Sequence, residues 1–568
     1  MSKLFTFGLV VLACALPALP AGATMTMAPY LQAVTTNSIY VLVECNSTSP
    51  VTVEYGTPPS YGTSRTTESN AATSGSSPQT YIHRVKLTGL TANTLYHYRA
   101  WQVAGAYSSD FTFTTAALPG TSYRFAFLAD FRTGTGIHNN VAARVIAANP
   151  RFSIYGGDLC ADSGYTTFKN EFFLANELAL SAKVPFMNAT GNHEGWTTNT
   201  QVFMWAPASG SGTQQYYSFD YGDVHFVSIN NYVDYSVNDV PGTQYRFVKD
   251  DLANTTKPWK VVYFHEPAYC AGGSHAPNTV MQSYTTTIFE PRNVSLVLTG
   301  HNHYYEHCLV NNVHHFVLGS VGAPLYSVGT ASYLVSAVSA YNYGIIDVTP
   351  KTLHMTTYVS ADGTTNWHIQ ENLDLANCIA GAESLTDATA LTVTVPAVVT
   401  YVPTETGVFY VQDPTGVGAI RVETSSTRPI KGNNVKIMGT LTTKANGERA
   451  ITGALYPTPS GSVTIKPKAM SNRAVGGAGY VNNPGGGASN QGMLVKVWGK
   501  VSKAVGMTFW LDDGSGVDSG ETDGTRGLKI IDSNIGPTKG DFMLIVGVVA
   551  SEKVNGKTIR VIRFREQG

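Results

Sequence analysis

Charged side chains are scarce, since Asp, Glu, Lys and Arg make up only 13% of the 568 residues, about half the roughly 25% of an average soluble domain. The 37 basic and 38 acidic residues leave a net charge of −1, so no overall field draws the chain to nucleic acid or anionic lipid. After the N-terminus no run of 18 apolar residues occurs, which argues against a membrane span. The 43% of hydrophobic residues still suffices for packed cores, so bulk disorder is excluded.

Cysteine is equally sparse, with six residues and no CxxC spacing, so nothing supports a zinc ribbon. Without Cys14 in the N-terminal apolar segment, five remain, and an odd number leaves at least one thiol unpaired within the chain. Connectivity cannot be read from sequence, but Cys270 and Cys308 each follow a candidate site histidine, His265 or His303, by five residues. We therefore predict a disulfide between these two cysteines.

The first 23 residues have the pattern of an export signal. Lys3 precedes an apolar segment, Leu4 to Leu16, that is too short to span a bilayer, and Ala21-Gly22-Ala23 fits a small-x-small cleavage site. We predict a mature chain that starts at Thr24 and is secreted, extracellular or periplasmic. A lipidated Cys14 is the alternative.

The hydrophobic pattern changes along the chain and predicts a multidomain protein. We expect an N-terminal all-β sandwich, a central α/β layered domain and two small C-terminal β-barrels. The expected bounds are 1–23 for the signal peptide, 24–118 for the sandwich, 119–375 for the α/β domain, 376–470 for the first barrel, 471–492 for a Gly- and Asn-rich linker and 493–568 for the second barrel.

The N-terminal domain carries one recognisable motif. Leu87-Thr-Gly-Leu90 followed by Tyr96 resembles the tyrosine corner of fibronectin type III modules, in which a buried hydroxyl bonds back to the backbone. Such a module usually serves as a spacer or as a wall for its neighbour.

The C-terminal region contains an internal repeat, because residues 409–417 (FYVQDPTGV) match residues 509–517 (FWLDDGSGV). Each copy has roughly five strands and resembles the small Greek-key barrels of the OB type. Tyr410 and Trp510 could stack on nucleic acid, but their alternation with Phe409 and Phe509 favours core packing.

An acidic loop in the second copy could bind Ca²⁺, although a solvated loop fits better because the first copy lacks most of its acids. Its members are Asp512, Asp513, Asp518, Glu521 and Asp523. We predict spacers, or modules that contact a cell surface or glycan, and no nucleic acid.

Polar residues follow five predicted strands of the central region. They are Asp130, Gly157-Asp158, Gly191-Asn192-His193-Glu194, His265 and Gly300-His301-Asn302-His303. Ligand sites in α/β sheets lie beyond the carboxyl ends of strands, so we expect these loops to converge. Carboxylates, an amide oxygen and neutral imidazoles suit Zn, Mn or Fe, and one carboxylate can bridge two cations. In the same region, Phe168, Phe172, Phe173 and Leu178 predict one helix.

This order of motifs resembles the calcineurin-like metallophosphoesterases, and with a β domain in front it resembles the purple acid phosphatase-like branch. The resemblance covers about residues 24–375. It implies a four-layer sandwich and two divalent or trivalent metal ions (Fe, Zn or Mn). The implied ligands are Asp130, Asp158, Asn192, His265, His301 and His303. Asp158 would bridge both metals, Asp130 and His303 would complete the first site, and the other three would complete the second.

Two residues depart from the family pattern. Many members have a histidine two residues after the first aspartate, where this chain has Arg132, and purple enzymes have a tyrosine three residues after the bridging aspartate, where it has Ala161. We expect a more open first site and no purple charge-transfer band. Arg132 would contact the substrate phosphate or pair with a nearby carboxylate.

The resemblance implies metal-assisted hydrolysis of small phosphate esters. Asp158, His193 and Arg132 are the candidate catalytic residues, and Arg132, His193 and His275 the candidate substrate contacts, although His275 also suits a solvated loop. We expect Glu194 to orient His193 or its loop, and His307, His314 and His315 to be structural. Phosphate monoesters are the leading substrates. The alternatives are a phosphodiesterase or nucleotidase, or a non-catalytic surface-binding protein with a degenerate metal domain.

Overall fold

The computed structural model describes residues 24–567 apart from 59, 104–105, 208–209, 211, 235 and 477–488. The predicted signal peptide and the middle of the predicted linker lie outside the described residues. None of the described helices combines the length and apolar character that a membrane crossing requires.

The N-terminal domain is a sandwich of two antiparallel sheets. Its strands are β1 (Tyr30–Gln32), β2 (Ser38–Cys45), β3 (Thr52–Gly56), β4 (Thr63–Thr66), β5 (Ser69–Ala72), β6 (Tyr81–Thr88), β7 (Leu95–Trp101) and β8 (Phe111–Thr114). One sheet has the order β1-β2-β6-β5 and the other β4-β3-β7-β8. The Tyr96 hydroxyl accepts a hydrogen bond from the Thr91 amide (2.9 Å), which is the backbone contact that the tyrosine corner predicts.

The central domain alternates strands and helices. Its strands are β9 (Tyr123–Leu128), β10 (Phe152–Tyr155), β11 (Phe186–Asn188), β12 (Tyr217–Tyr221), β13 (Val224–Ser228), β14 (Trp259–Tyr263), β15 (Leu296–Thr299), β16 (Tyr305–Val310), β17 (Val313–Leu318), β18 (Leu334–Val338), β19 (Tyr341–Val348), β20 (Thr352–Ser360) and β21 (His368–Ala376). Its helices are α1 (Thr135–Ala148), α2 (Tyr165–Thr167), α3 (Ala175–Ser181), α4 (Thr198–Phe203), α5 (Gln244–Asn254) and α6 (Thr279–Tyr284), with π-helical turns at Phe168–Phe172 and Thr285–Phe289.

These elements form four layers. One sheet has the order β21-β20-β19-β9-β10-β11 and continues through β1 into the N-terminal domain, and the other has the order β12-β13-β14-β15-β17-β16-β18. Apolar side chains of both sheets, among them Phe127 and Phe226, form the interior between them. Val141 of α1 packs outside the first sheet, and Val248 of α5 packs outside the second. The predicted α/β/β/α sandwich is therefore present.

The single helix predicted through Phe168 and Leu178 is wrong. The π-helical turn ends at Phe172, and Phe173 adopts a non-helical ψ of 54° before α3 begins at Ala175. The consecutive Phe172 and Phe173 rings lie 4.9 Å apart in one core cluster. The break at Phe173 separates the π-helical turn from α3 while both rings remain in this cluster.

The C-terminal region begins with α7 (Ile379–Ala382) and continues almost entirely as strands. They are β22 (Ala390–Tyr401), β23 (Val408–Gln412), β24 (Ala419–Glu423), β25 (Asn433–Thr443), β26 (Arg449–Leu455), β27 (Ser460–Ser462), β28 (Lys468–Ala469), β29 (Leu494–Val505), β30 (Thr508–Asp512), β31 (Leu528–Ile531), β32 (Phe542–Val554) and β33 (Lys557–Gln567), with a 3₁₀ turn at Asn472–Ala474.

Each repeat closes a circuit of five strands. In the first copy the pairings run β22-β23-β24-β26-β25 and return to β22. In the second they run β29-β30-β31-β33-β32 and return to β29. Each circuit contains one parallel pairing at the equivalent position, β24 with β26 in the first copy and β31 with β33 in the second. The sequence repeat is therefore also a topological repeat.

The aromatic residues singled out in the repeats are buried. Tyr410 packs with Val408 against Leu494 and Val546 of the second copy, and Trp510 is 4% exposed between the ammonium groups of two lysines. Packing therefore accounts for both rings. Among the described residues, the acidic loop of the second copy forms no cluster suited to a metal ion, and its Asp523 pairs with Lys503 at 2.8 Å.

The predicted disulfide is wrong, because all five cysteines in the described residues are free thiols. The Cys270 sulfur accepts a hydrogen bond from the Asn302 side-chain amide (3.3 Å). The Cys308 thiol donates to Glu306 (3.1 Å). Each sulfur thus has a polar partner of its own.

Candidate metal centre

The five polar loops converge at one edge of the two sheets. Strands β9, β10 and β11 are parallel neighbours in the first sheet, and β14 and β15 are parallel neighbours in the second. Their carboxyl ends therefore open on the same side of the sandwich. The residues that follow these strands lie between the sheet edges, as the sequence predicts.

The loops approach so closely that glycine is required at two points. A Cβ on Gly191 would lie 2.2 Å from the Asp158 amide nitrogen, and a Cβ on Gly300 would lie 2.2 Å from an Asp130 carboxylate oxygen. Asp130, Asp158 and His301 have positive φ angles of 59°, 53° and 69°, a region that non-glycine residues rarely adopt. This strain turns three polar side chains towards one volume.

The first half of the site contains Asp130, Asp158 and His303, whose ligand atoms all lie within 4.8 Å of one another. His303 Nδ1 donates to the Pro324 carbonyl (2.7 Å), so its Nε2 lone pair faces Asp130 Oδ1 at 3.5 Å. That Asp130 oxygen is buried and has no hydrogen-bond partner. A buried carboxylate oxygen without a donor is costly, and a cation would satisfy it.

The second half contains Asn192, His265 and His301 around the Oδ1 atom of Asp158. His265 Nε2 lies 3.3 Å from Asp158 Oδ1, 3.2 Å from Asn192 Oδ1 and 3.3 Å from His301 Nδ1. His265 Nδ1 donates to the Gly156 carbonyl (2.8 Å), so Nε2 is directed inward. The six predicted ligands thus surround one volume, and their donor types suit a pair of metal ions.

The local charges are those of a cation site. Burial, with the neighbouring charge of His265, lowers the pKa of His301 to about 2, so this imidazole is neutral. Burial alone would lower the pKa of His265, but Asp158 and Asp130 raise it to about 10. Burial likewise opposes ionisation of Asp158, yet the charge and hydrogen bond of His265 bring the pKa of that carboxyl well below its usual range. Carboxylates that stabilise a proton on His265 would equally stabilise a metal ion.

Two glutamates hold the loops rather than face the site. Glu194 accepts hydrogen bonds from the amides of Asp158 (3.2 Å), Leu159 (3.1 Å) and Gly191 (2.7 Å), and burial together with Asp158 raises its pKa to about 7. It therefore fixes the Asp158 loop and, through Gly191, the loop that carries His193, as predicted, but it does not contact the His193 ring. Glu171, which no sequence motif indicates, accepts from the amides of Ala161 (2.8 Å) and Thr133 (3.2 Å).

The candidate substrate contacts lie around this volume. His193 donates from Nδ1 to the Ala161 carbonyl (2.8 Å), and its Nε2 is 3.7 Å from Asp158 Oδ2. Arg132 Nε lies 3.6 Å from the same oxygen, the carboxylate contact that the sequence offered as one alternative. His275 stacks on His301 with ring centroids 4.1 Å apart, so it borders the site.

Tyr326 is a site residue that sequence reasoning missed. It lies in the loop after β17, and its ring stacks on His303 with centroids 3.9 Å apart. Its amide donates to the His303 carbonyl (2.9 Å), and its hydroxyl lies 3.5 Å from Arg132 Nη2. No spacing relates Tyr326 to the other motifs, so only the fold reveals it.

The remaining histidines of this region are structural. His307 contacts Glu371 through Nδ1 (2.8 Å) and His314 through Nε2 (2.9 Å). His314 also contacts Thr392 (3.1 Å). His315 is buried against the Tyr269 ring. His307 lies in β16, and His314 and His315 lie near the start of β17, where their contacts fit the structural role that was predicted.

Comparison with known families agrees with this geometry. Residues 123–305 match the calcineurin-like phosphoesterase family. Residues 30–115 match the N-terminal domain of purple acid phosphatases. The first match covers all five strand-end motifs.

Individual relatives with similar sequences include two plant purple acid phosphatases. Purple acid phosphatase 23 of Arabidopsis thaliana is 30% identical over 292 residues, which cover 44% of this chain and 62% of the relative. Purple acid phosphatase 22 of the same plant is 31% identical over 245 residues, 40% of this chain and 53% of the relative. Both matches span less than two thirds of the relative's own length.

Among solved structures, the purple acid phosphatase PPD1 of yellow lupin (Lupinus luteus) superposes with a TM-score of 0.52 at 19% identity, over 61% of this chain and 74% of that one. At this identity the likeness concerns the fold. The sequence matches show that this chain contains a calcineurin-like phosphoesterase domain behind a purple acid phosphatase N-terminal domain, and is homologous to the purple acid phosphatases.

Proposed function

We propose that this protein is a metal-dependent phosphoesterase that hydrolyses small phosphate monoesters. The observation that carries the proposal is the convergence of Asp130, Asp158, His303 and the second-half ligands beside His193. Carboxylate, amide and imidazole donors around an unpartnered Asp130 oxygen form a site for two cations, in keeping with the dinuclear centres of the family. When bound, such cations would neutralise phosphoryl oxygens and lower the pKa of a water molecule.

His193 is placed to act on the leaving group. Its Nδ1 is committed to the Ala161 carbonyl, which leaves Nε2 as the atom that faces the site. The ring is 29% exposed, so a substrate can reach it. In its imidazolium form, which carries protons on both nitrogens, His193 would transfer the Nε2 proton to the departing alcohol oxygen and keep the Nδ1 proton on Ala161, a step that general acids accelerate by about 10²–10⁴-fold.

Arg132 and His275 would hold the substrate. The Arg132 guanidinium is 15% exposed beside Asp158, and its planar N–H groups match the geometry of phosphoryl oxygens. His275, stacked on His301, would border the organic part of the ester. The charged Arg132 guanidinium favours the dianion of a monoester over the singly charged phosphate of a diester.

The other domains would support this centre. We propose that the two five-strand circuits are OB-type barrels acting as spacers or as modules for a surface or glycan. We further propose that residues 1–23 direct export, so that the enzyme works outside the cytoplasm. Cell fractionation with mass spectrometry tests the second point: we expect a chain outside the cytoplasm that begins at Thr24, and a cytoplasmic chain that keeps residues 1–23 would contradict it.

Hydrolysis of p-nitrophenyl phosphate and bis-p-nitrophenyl phosphate across pH, with metal analysis on the same purified residues 24–568, tests the function. We expect monoester turnover that requires about two metals per chain and disappears in Asp158→Ala. The matched control is Asp239→Ala, an exposed carboxylate paired with Lys249, which should retain turnover. Preferred diester turnover would shift the proposal to a phosphodiesterase. No metal and no turnover would refute the enzyme and favour the degenerate binding protein.

A further inference from the structure

The positively charged guanidinium of Arg132 lies in the first half of the site. Arg132 Nη2 is 3.4 Å from His303 Nε2, and Arg132 Nε is 3.6 Å from Asp158 Oδ2. Because His303 Nδ1 already donates to Pro324, the Nε2 atom is an acceptor, and the guanidinium donates to it. The lone pair that would bind a metal is therefore engaged by an arginine N–H.

Tyr326 holds this guanidinium in place. Its ring lies parallel to His303, with an interplanar angle of 19°, and its hydroxyl oxygen is 3.5 Å from Arg132 Nη2. Arg132 Nε is buried without a hydrogen-bond partner of its own. The guanidinium is thus anchored at one nitrogen while another donor stays available inside the site.

Among the described residues, the second half contains no guanidinium or ammonium group. Within the described part of the chain, the contacts of Asn192, His265 and His301 include no lysine or arginine. The neighbours of these ligands include the Asp158 carboxylate and the His275 ring. The two halves share Asp158, but only the first has a guanidinium beside its ligands.

We propose that Arg132, positioned by Tyr326, makes the first metal site conditional: the second site fills first, and the first fills tightly only when phosphate draws the Arg132 charge away from His303 and Asp158. This inference rests on the proposed function and deepens it. A metal ion entering the first site meets a fixed positive charge within a few ångströms and must displace an N–H from its imidazole ligand. A phosphate dianion binds guanidinium in a bidentate fashion, which removes both obstacles.

Calorimetric titration of the metal-free protein (residues 24–568) with Mn²⁺ tests the proposal, with and without inorganic phosphate at concentrations that keep Mn²⁺ in solution. Electron paramagnetic resonance counts isolated and paired ions. For the wild type we expect one tight and one weak site, with affinities at least tenfold apart, and a tenfold or greater tightening of the weak site by phosphate.

Substitutions at position 132 separate charge from shape. Arg132→Met keeps the aliphatic stem without the charge, so the weak site should tighten at least tenfold and lose most of its response to phosphate. Arg132→Lys keeps the charge and should stay weak. Tyr326→Phe keeps the ring and loses the hydroxyl, so an intermediate affinity is expected. Arg144→Met, on the α1 surface over Trp367, should match the wild type, and an unchanged tight site shows that each variant is folded.

Equal affinities of the two sites in the wild type, or identical titrations of Arg132→Met and Arg132→Lys, would overturn this inference alone. Failure of every variant to bind any ion would overturn the metal centre and, with it, the proposed function. Conditional binding without turnover of any ester would leave the Arg132 effect in place and contradict the enzymatic proposal.

Discussion

The metal centre and the two C-terminal repeats differ in whether their buried carboxylate oxygens have hydrogen-bond partners. At the interface of the repeats, the Tyr410 hydroxyl donates to Glu448 (2.7 Å) and Arg421 Nε donates to Glu423 (2.8 Å). In the described part of both repeats, no buried carboxylate oxygen lacks a partner. At the centre, Asp130 Oδ1 lacks a hydrogen-bond partner, and Asp130 and Asp158 adopt positive φ.

This contrast separates two uses of buried polarity. Satisfied groups fix one packing arrangement, and their removal costs stability. Unsatisfied groups on strained backbone are costly in themselves and persist where they serve a ligand. We therefore expect substitutions at the centre to affect chemistry or metal binding, and substitutions at paired groups elsewhere to affect stability.

The largest effect is expected for His193→Ala. Loss of the proton donor should lower kcat by about 10²–10⁴-fold, while the stoichiometry and affinity of bound metal stay unchanged, because no ligand is removed. Steady-state kinetics with p-nitrophenyl phosphate and metal analysis measure the two quantities. His368→Ala, in an exposed position on β21, is the control. Equal loss of metal and activity would mean that His193 helps to hold the metal, and its assignment as a proton donor alone would be wrong.

Glu194→Gln tests a buried group that supports the centre without facing it. The amide can accept at only one of the two positions at which the carboxylate receives Asp158, Leu159 and Gly191. Such outer contacts typically change metal affinity by about 10–100-fold, so metal affinity should fall by that amount. Addition of excess metal should restore most of the activity. Lost activity that excess metal does not restore would indicate a direct catalytic role.

The strand-end motifs were predictable because they are local. A glycine or carboxylate directly after an apolar strand marks the carboxyl edge of a sheet wherever that strand lies, so Asp130, Asp158 and the His301 loop could be selected by sequence alone. Tyr326 and Glu171 could not, because their positions depend on how a loop and a π-helical turn fold back. The Cys270–Cys308 prediction was wrong for a related reason, since equal offsets from two histidines carry no information about the distance between two sulfurs.

The sequence also predicted only part of the C-terminal repeat architecture. Matching residues such as Phe409 and Phe509 revealed two copies, and alternation predicted that both phenylalanines face a core, as they do. The parallel pairing of β24 with β26 that closes the circuit joins segments with no shared pattern. Sequence therefore predicted the repeat unit and its strands, and the fold supplied the closure.

Tyr410→Phe tests a buried hydrogen bond in the C-terminal repeats, where both polar groups have partners. Glu448 would remain buried with its principal donor removed, which should lower the free energy of unfolding of the C-terminal unit by about 1–3 kcal/mol without changing kcat. Urea titration followed by hydrogen exchange of the backbone amides in β22 to β33 reports on this unit. Tyr456→Phe, whose exposed hydroxyl donates to the Thr427 carbonyl, should cost much less. A loss of catalysis in Tyr410→Phe would mean that the repeats contribute to the centre.

The smallest and most condition-dependent effect is expected at His225, a paired histidine of the central domain far from the metal ligands along the chain. Its two nitrogens contact Asp220 (2.7 Å) and Asp251 (2.8 Å). Burial alone would lower its pKa, but hydrogen bonds to these carboxylates raise it to about 9, above the ordinary value of 6.5. Since the folded form binds the proton more tightly, this stabilisation is complete below pH 6.5 and is lost as the pH rises towards 9.

His225→Gln removes that charge at every pH. Relative to the variant, the wild type should be more stable by about 1–2 kcal/mol at pH 6, after allowance for the exposure of Asp220, and the difference should shrink by pH 9.5. Thermal unfolding between pH 5.5 and 9.5 measures it. His97→Gln, which removes a half-exposed pair with Asp110, is the matched control and should show little difference at any pH, because exposed pairs contribute little. A difference for His225→Gln that grows with pH would reverse the assigned sign, and a change in kcat at constant stability would mean that paired groups of this domain also act on the chemistry.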